Sequence, residues 1–284
     1  MASIYKSEAG RKEVLGRYRQ ILSAWPVENR QYSIPTSYGE TFVIESGEKS
    51  NPPLMLLHGG SSNSFCWFGD VEPLSRKFNV HAVDIIGEPG LSASERPDYK
   101  SGAYAQWLKE VIQGLSLKSA SVVGLSLGGW MGLQVSTAFP ELVDKLILLC
   151  PGGLAPVQPG FLWKYLLYSV TGKWGKKKIQ KLINGGKTPA SISPGMERAM
   201  EFMSVITRNY VPKWEKLPIL GGEKLSRLTM PVLLIYGDRD YLLDATKSAR
   251  HLQDWAPDAT VEILPDTGHV VTGQSSRIMD FMTG

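Results

Sequence analysis

The sequence predicts an α/β fold: a mostly parallel central sheet flanked by helices, with an inserted helical segment. Three observations lead to this class. Short aliphatic segments bounded by turn residues recur along the chain, stretches of helical spacing separate most of them, and the alternation stops between residues 154 and 229. Strands that are apolar on both faces and alternate with helices fit a parallel sheet covered on each side, because neither face then meets water.

In order, the strand candidates are "ETFVIES", "PPLMLLHGG", "NVHAVDII", "SASVVGLS", "DKLILLC", "PVLLIYGD" and "TVEILP". They are rich in β-branched and aliphatic residues and too short for helices. The opening stretch "QYSIPTSYGETFVIES" has turn residues at Ser37, Tyr38 and Gly39 and reads as an antiparallel hairpin at the sheet edge. Helical spacing marks "AYAQWLKEVIQGL", "GGWMGLQVSTAF" and "ATKSARHLQDWA". After "DKLILLCPGG" the chain offers only helical pieces, "FLWKYLLYSVTGKWGKKKIQKLI" and "PGMERAMEFMSVITRNYV". Residues 1–153 and 230–284 are therefore expected to form the core domain, and 154–229 a helical cap.

With 284 residues, 43% of them hydrophobic and 20% charged, the chain has the composition of an ordinary globule, which excludes disorder. The N-terminal "MASIYKSEAGRKEVLGRYRQILSAWPV" lacks the continuous apolar run of a secretory signal and is expected to be an amphipathic helix packed on the domain. Cytoplasmic residence, no stable membrane insertion and no nucleic-acid partner are the corresponding expectations. Cys66 and Cys150 have no ligand-pair spacing, so neither a disulfide framework nor a zinc site is expected. The formal net charge is only +4, but residues 154–229 hold 13 Lys and Arg against 4 Glu and no Asp. The insertion is basic and the body mildly acidic.

The tetrapeptide Gly-Leu-Ser-Leu occurs twice, at 114–117 and 124–127. Ser116 follows a helical run whose expected stop is Gly114, and it leads into a polar turn. Ser126 follows the strand "ASVVG", opens a helix, and has glycine at −2 and +2, Gly124 and Gly128. A nucleophile on a sharp strand-to-helix turn needs such glycines, because side chains there would meet neighbouring backbone, and the following helix points its free N–H groups at the reacting centre. Ser126 is the candidate nucleophile.

A serine hydroxyl needs a base and an orienting carboxylate. His81 lies inside a strand, His251 is expected on the exposed side of a helix, and His58 in "LLHGG" suits support of its loop. His269 in "ILPDTGHVV" stands past the last strand on a glycine-flanked loop and is the candidate base. Among the acids, Asp240 is preferred as the loop residue a few positions beyond the strand "PVLLIYG". Asp238 suits the turn itself, Asp244 is expected inside the next helix, and Asp266 has a turn role. The oxyanion would meet the backbone N–H of Leu127 and that of Gly60, with Ser61 as the second candidate for the latter.

With strand, elbow, acid and histidine in this order, the chain resembles the α/β-hydrolase superfamily over nearly all its length except the cap. "LLHGGSSNSFCW", "HAVDIIGEPGLS", "VVGLSLGGWMG", "PVLLIYGDRD" and "LPDTGHVV" are similar to its successive landmarks, nearest to bacterial carboxylesterases with a single cap. The resemblance implies Ser126, Asp240 and His269 as the triad and the oxyanion loop at Gly60. One departure is "DIIGEPGLS", which has an extra residue and carries Glu88-Pro89 where histidine is frequent, leaving the pocket wall by Glu88 and Ser92 open.

Serine at the elbow argues against the dehalogenases and epoxide hydrolases of the superfamily, which use aspartate there. The leading expectation is cofactor-independent hydrolysis of a small-molecule carboxylic ester. Carbon–carbon bond or amide hydrolysis on the same triad is the alternative, as is a ligand-sensing module with little turnover. Gly59, Trp130, Trp163 and Met203 are the substrate-binding candidates. In the insertion, Trp163, Tyr165, Tyr168 and Trp174, with Met196, Met200, Phe202 and Met203, would make a ceiling over an apolar acyl or aryl pocket. The run "KWGKKKIQKL" either solvates an outer face or attracts anionic substrates or an anionic surface.

Overall fold

The structure, a computed structural model, describes residues 3–186 and 194–284. The chain runs α1 (Glu8–Ser23), β1 (Asn29–Thr36), β2 (Gly39–Ser46), β3 (Pro53–Leu57), α2 (Val71–Ser75), β4 (Asn79–Val83), α3 (Ala103–Gly114), β5 (Ala120–Leu125), α4 (Leu127–Ala138) and β6 (Val143–Leu149). It continues through α5 (Pro159–Ser169), α6 (Gly172–Ile183), α7 (Pro194–Asn209) and α8 (Gly222–Leu225) to β7 (Val232–Gly237), α9 (Ala245–Gln253), β8 (Thr260–Leu264) and α10 (Ser275–Thr283).

The strands form one sheet in the order β1-β2-β4-β3-β5-β6-β7-β8. β1 and β2 make the expected edge hairpin, with Thr36 paired to Gly39 across the turn, and β2 is antiparallel to β4. All other pairings are parallel. β5 and β7 are buried along their whole length, as their uninterrupted aliphatic runs require. From β3 the chain turns first to β4 on one side and then crosses to β5 on the other. The crevice at the C-terminal ends of β3 and β5 is therefore the switch point at which open α/β sheets bind ligands.

Local choices follow the same physics. In α1 Ser7 caps the N-terminus by accepting from the Gly10 N–H, and Val14, Leu15, Tyr18 and Leu22 are buried on one face. α4 lies between the sheet and the rest of the body and is buried on almost every side, which suits its run of glycine and aliphatic residues. Gly114 remains helical in α3, contrary to the expected stop. Ser116, at φ 57°, takes the left-handed position instead, with its N–H donating to Gln113 O and that of Leu117 to Ile112 O.

Between β6 and β7 the described residues form helices and irregular chain, with isolated bridges only at Val157–Leu243 and Tyr5–Tyr210. The first helical piece is two helices, broken at Val170 and Thr171. No described helix is long and apolar enough to cross a membrane.

Candidate active site

Ser126 stands between β5 and α4 with φ 51° and ψ −104°, the strained elbow expected for a nucleophile at a strand-to-helix turn. The flanking glycines have concrete reasons. A Cβ on Gly128 would fall on the Leu57 carbonyl oxygen, and one on Gly124 on the Gly128 carbonyl. The helix can thus start directly against the end of β3, where the Gly128 N–H donates to His58 O at 3.1 Å.

Loops after β7 and β8 bring the other two groups to the same sheet end. Ser126 Oγ lies 2.9 Å from His269 Nε2, and His269 Nδ1 lies 2.7 Å from Asp240 Oδ2. An ionised Asp240 only accepts, so the imidazole proton belongs on Nδ1 and leaves Nε2 to receive the serine proton. The Asp240 side chain is fully buried, and its Oδ1 accepts from the N–H groups of Leu242 and Leu243 at 2.8 and 3.0 Å. These bonds fix the carboxylate and offset the cost of burying its charge.

The competing acids have other tasks. Asp238 Oδ1 accepts from the Thr267 N–H at 3.1 Å, tying the β7 loop to the β8 loop. Asp244 is the N-cap of α9 rather than a residue within it, accepting from Lys247 N. Asp266 pairs with Arg239. The other histidines also find places. Buried His58 accepts from the Ile85 N–H through Nε2 and donates through Nδ1 to Gly59 O, so it is neutral, and burial lowers its basicity further. His81 is buried in β4 and pushed down to about 4 by desolvation. His251 corrects the expectation of an exposed helix residue: it is half-buried, with Nε2 2.9 Å from Leu220 O.

Leu127 and Gly60 face one another, since a Cβ on Gly60 would lie 3.7 Å from Leu127 Cδ2. Among the described residues neither N–H has a recorded acceptor, so both remain available to a developing oxyanion. The second candidate, Ser61, is displaced from that role because its N–H donates to Glu88 Oε2 at 2.5 Å. Gly59 is buried behind Gly60, with its carbonyl held by His58.

Two of the remaining substrate-binding candidates are corrected by position. Trp130 is buried, its Nε1 donates to Pro218 O at 3.1 Å, and its ring packs edge-on against Tyr99 and Tyr104. These contacts make it a packing anchor between α4, α3 and the chain before α8. Trp163 is 73% exposed, because α5 turns Phe161 and Tyr165 inward instead and Tyr165 packs edge-on against Trp214. Phe202 stacks on Tyr18 and meets Phe65, just beyond the oxyanion loop, so α7 lies nearer that loop than the expected aromatic ceiling did. Met203 beside it is half-buried, Met200 is exposed, and the Met196 side chain lies outside the described residues.

Glu88 has a part that sequence reasoning did not see. It is buried, binds the Ser61 N–H, and meets the Tyr210 hydroxyl from the insertion. Burial pushes its carboxyl up to about 7, against the pull of its hydrogen bonds and of the Arg96 and Lys213 charges. Asp84 is a second hub: one oxygen accepts from Tyr18 Oη, Ser64 N and Ser64 Oγ, and the other from Leu91 N. For Glu88 the sequence signal was the unusual "GEP" turn, because its partners Ser61 and Tyr210 lie far away in the chain.

Cys150 Sγ, an Asp240 oxygen and a His269 nitrogen lie within 4.8 Å of one another. Both imidazole nitrogens are already engaged by Ser126 and Asp240, and burial drives the Cys150 thiol well above its ordinary range. These donors fit a hydrogen-bonded proton relay better than a metal centre, which needs a free imidazole nitrogen and a thiolate.

A family model described as the alpha/beta hydrolase fold matches residues 52–273. The uncharacterized carboxylesterase nap of Bacillus subtilis strain 168 is 29% identical, over 93% of this chain and 90% of its own length. Carboxylesterase YbfK of the same organism is 28% identical, over 94% and 92%. The crystal structure of naproxen esterase, carboxylesterase NP, from Bacillus subtilis superposes with a TM-score of 0.82 at 27% identity, covering 99% of this chain and all of that one.

Proposed function

The chain belongs to the α/β-hydrolase fold family, and from that premise we propose that it hydrolyses small-molecule carboxylic esters through an acyl-enzyme on Ser126. The observation that carries this reading is the continuous chain Asp240–His269–Ser126 beside two backbone N–H groups without acceptors. Its relatives named as carboxylesterases, similar over almost their whole length, support the ester as substrate class.

In this mechanism Ser126 Oγ attacks the ester carbonyl carbon while His269 Nε2 takes its proton. The resulting imidazolium is stabilised by Asp240 through Nδ1, and the oxyanion lies between the N–H groups of Leu127 and Gly60 at the positive end of α4. Collapse of the tetrahedral intermediate expels the alcohol, which takes the proton from Nε2. Water, deprotonated by the same nitrogen, then attacks the acyl-enzyme and frees the carboxylate and the serine. Residues 154–229 act as the cap over this site, with Phe202 meeting Phe65 just beyond the oxyanion loop.

The test is hydrolysis of a p-nitrophenyl ester series of rising acyl length. The wild type is expected to turn over at least the short members, and Ser126→Ala to lose at least about 10⁴-fold in kcat. Ligand binding to both proteins with hydrolysis by neither would instead favour a sensing module.

A further inference from the structure

The inserted helices leave one surface that ester hydrolysis does not explain. α5 carries a single charged residue, Lys164, among its eleven, whereas a surface helix ordinarily keeps one polar face. Its outward stripe is Leu162, Trp163 and Leu167, continued by Val170 at its C-cap, at successive spacings of one, four and three positions that keep all four on one side of the helix. Trp163, Leu167 and Val170 are 73%, 62% and 80% exposed, and Trp174 at the start of α6, 57% exposed, packs edge-on against Tyr168 of α5. Isolated exposed apolar residues need no explanation, but four on one helix side with a second exposed tryptophan on the paired helix do.

The neighbouring chemistry says what would cover it. α6 packs on α5 and carries exposed Lys177, Lys178 and Lys181, and Lys178 sits over the Trp174 ring. Between the helices and the β7 loop is a cavity of about 240 Å³ lined by Lys164, Lys178, Lys181, Tyr168 and Tyr241, with Leu182 and Gly186. Among the described residues no acidic side chain lines it. Three ammonium groups and two phenol rings, next to an apolar stripe edged by tryptophan, match an interface that is anionic at its surface and hydrocarbon just beneath. A second copy of the chain fits poorly, since a two-fold contact through this stripe would set the same lysines against each other.

We propose that α5 and α6 form a peripheral docking surface for an anionic lipid bilayer. The stripe and tryptophans enter the headgroup boundary, and the lysine-lined cavity holds a lipid phosphate. The base of the helix pair is tied to the reactive loops. Gln158, which precedes α5, donates through Nε2 to the carbonyls of Asp240 and Leu243 at 2.9 and 3.0 Å. At the end of α6, Ile183 O accepts from the His269 N–H at 2.8 Å. A bilayer held on this surface would therefore lie against the elements that carry the acid and the base. This docking surface is independent of the ester-hydrolase reading.

The experiment is co-sedimentation of the full chain with vesicles of phosphatidylcholine alone and of an equimolar mixture with phosphatidylglycerol, at low and high salt. Binding to the mixed vesicles is expected, weakened at high salt and at least about tenfold weaker on phosphatidylcholine alone. Leu167→Ser/Val170→Ser and Lys178→Glu/Lys181→Glu should each reduce binding at least about tenfold, while both keep wild-type hydrolysis of a short soluble ester, which shows that they fold. Three outcomes would overturn the proposal: no vesicle binding by the wild type, binding indifferent to lipid charge, or binding unchanged in either variant. Self-association in place of vesicle binding, abolished by Leu167→Ser/Val170→Ser, would assign the stripe to a second copy and overturn it equally.

Discussion

In the proposed mechanism His269 needs its two nitrogens in different roles, and Asp240 would set those roles by accepting from Nδ1. Replacing Asp240 with asparagine offers the ring a donor as well as an acceptor and allows the tautomer with Nε2 protonated, which cannot take the serine proton. Asp240→Asn is expected to lower kcat by about 10³–10⁴-fold with little change in KM, measured by steady-state ester hydrolysis. Glu88 gives a different signature. Its carboxyl lies at about 7 in the folded chain, above its ordinary 4.5, so the native state holds a proton that the unfolded chain has released. Its contribution to stability is intact below about pH 4.5, falls as the pH rises toward 7, and stays lower above that by up to about 3 kcal/mol. Glu88→Gln, which keeps an acceptor for the Ser61 N–H, should gain on the wild type in denaturant midpoint across that window and show no such gain below it. Ser126, Asp240 and His269 were legible because each stands where a strand ends and turn residues begin. Glu88 was not, because burial and its partners Ser61 and Tyr210 come from tertiary packing.

The elbow between β5 and α4 shows what a short motif can carry. Both serines of the repeated Gly-Leu-Ser-Leu have positive φ, 57° at Ser116 and 51° at Ser126, so the sign of φ alone does not separate them. Ser116 closes a helix, whereas Ser126 opens one against the end of β3. Gly128→Ala should therefore be costly even though alanine favours helices: its methyl would displace the Leu57 carbonyl and shift the start of α4. A loss of about 3 kcal/mol or more in denaturant unfolding is expected, together with loss of ester hydrolysis. The parallel strands and the edge hairpin were readable because aliphatic runs and turn residues punctuate them. The end of α3 and the break between α5 and α6 were less so, since a serine in the left-handed position and a break at Val170 and Thr171 leave little local mark.

Across the whole molecule, Asp84 and Tyr18 tie the N-terminal helix to the loops after β3 and β4 and to α7. Tyr18 donates to Asp84 at 2.8 Å and stacks on Phe202 of α7, linking α1, the loop after β4 and the insertion in one contact set. Tyr18→Phe keeps the ring and removes the donor, so it should cost about 1–2 kcal/mol in thermal or denaturant unfolding. The distribution of charge, basic in 154–229 and acidic elsewhere, was visible in the sequence. Which aromatic residues of the insertion face inward was not: Trp163 and Tyr165 sit two apart on α5 and fall on opposite sides of it, and Tyr165 packs against Trp214, a partner distant in sequence.

Whether Ser126 alone is the nucleophile is tested most directly by labelling with a fluorophosphonate and sequencing the modified peptide by mass spectrometry. A single adduct on Ser126, formed in step with loss of ester hydrolysis and absent from His269→Ala, is the expected result. An adduct on another residue, or full hydrolysis with Ser126 quantitatively labelled, would contradict it.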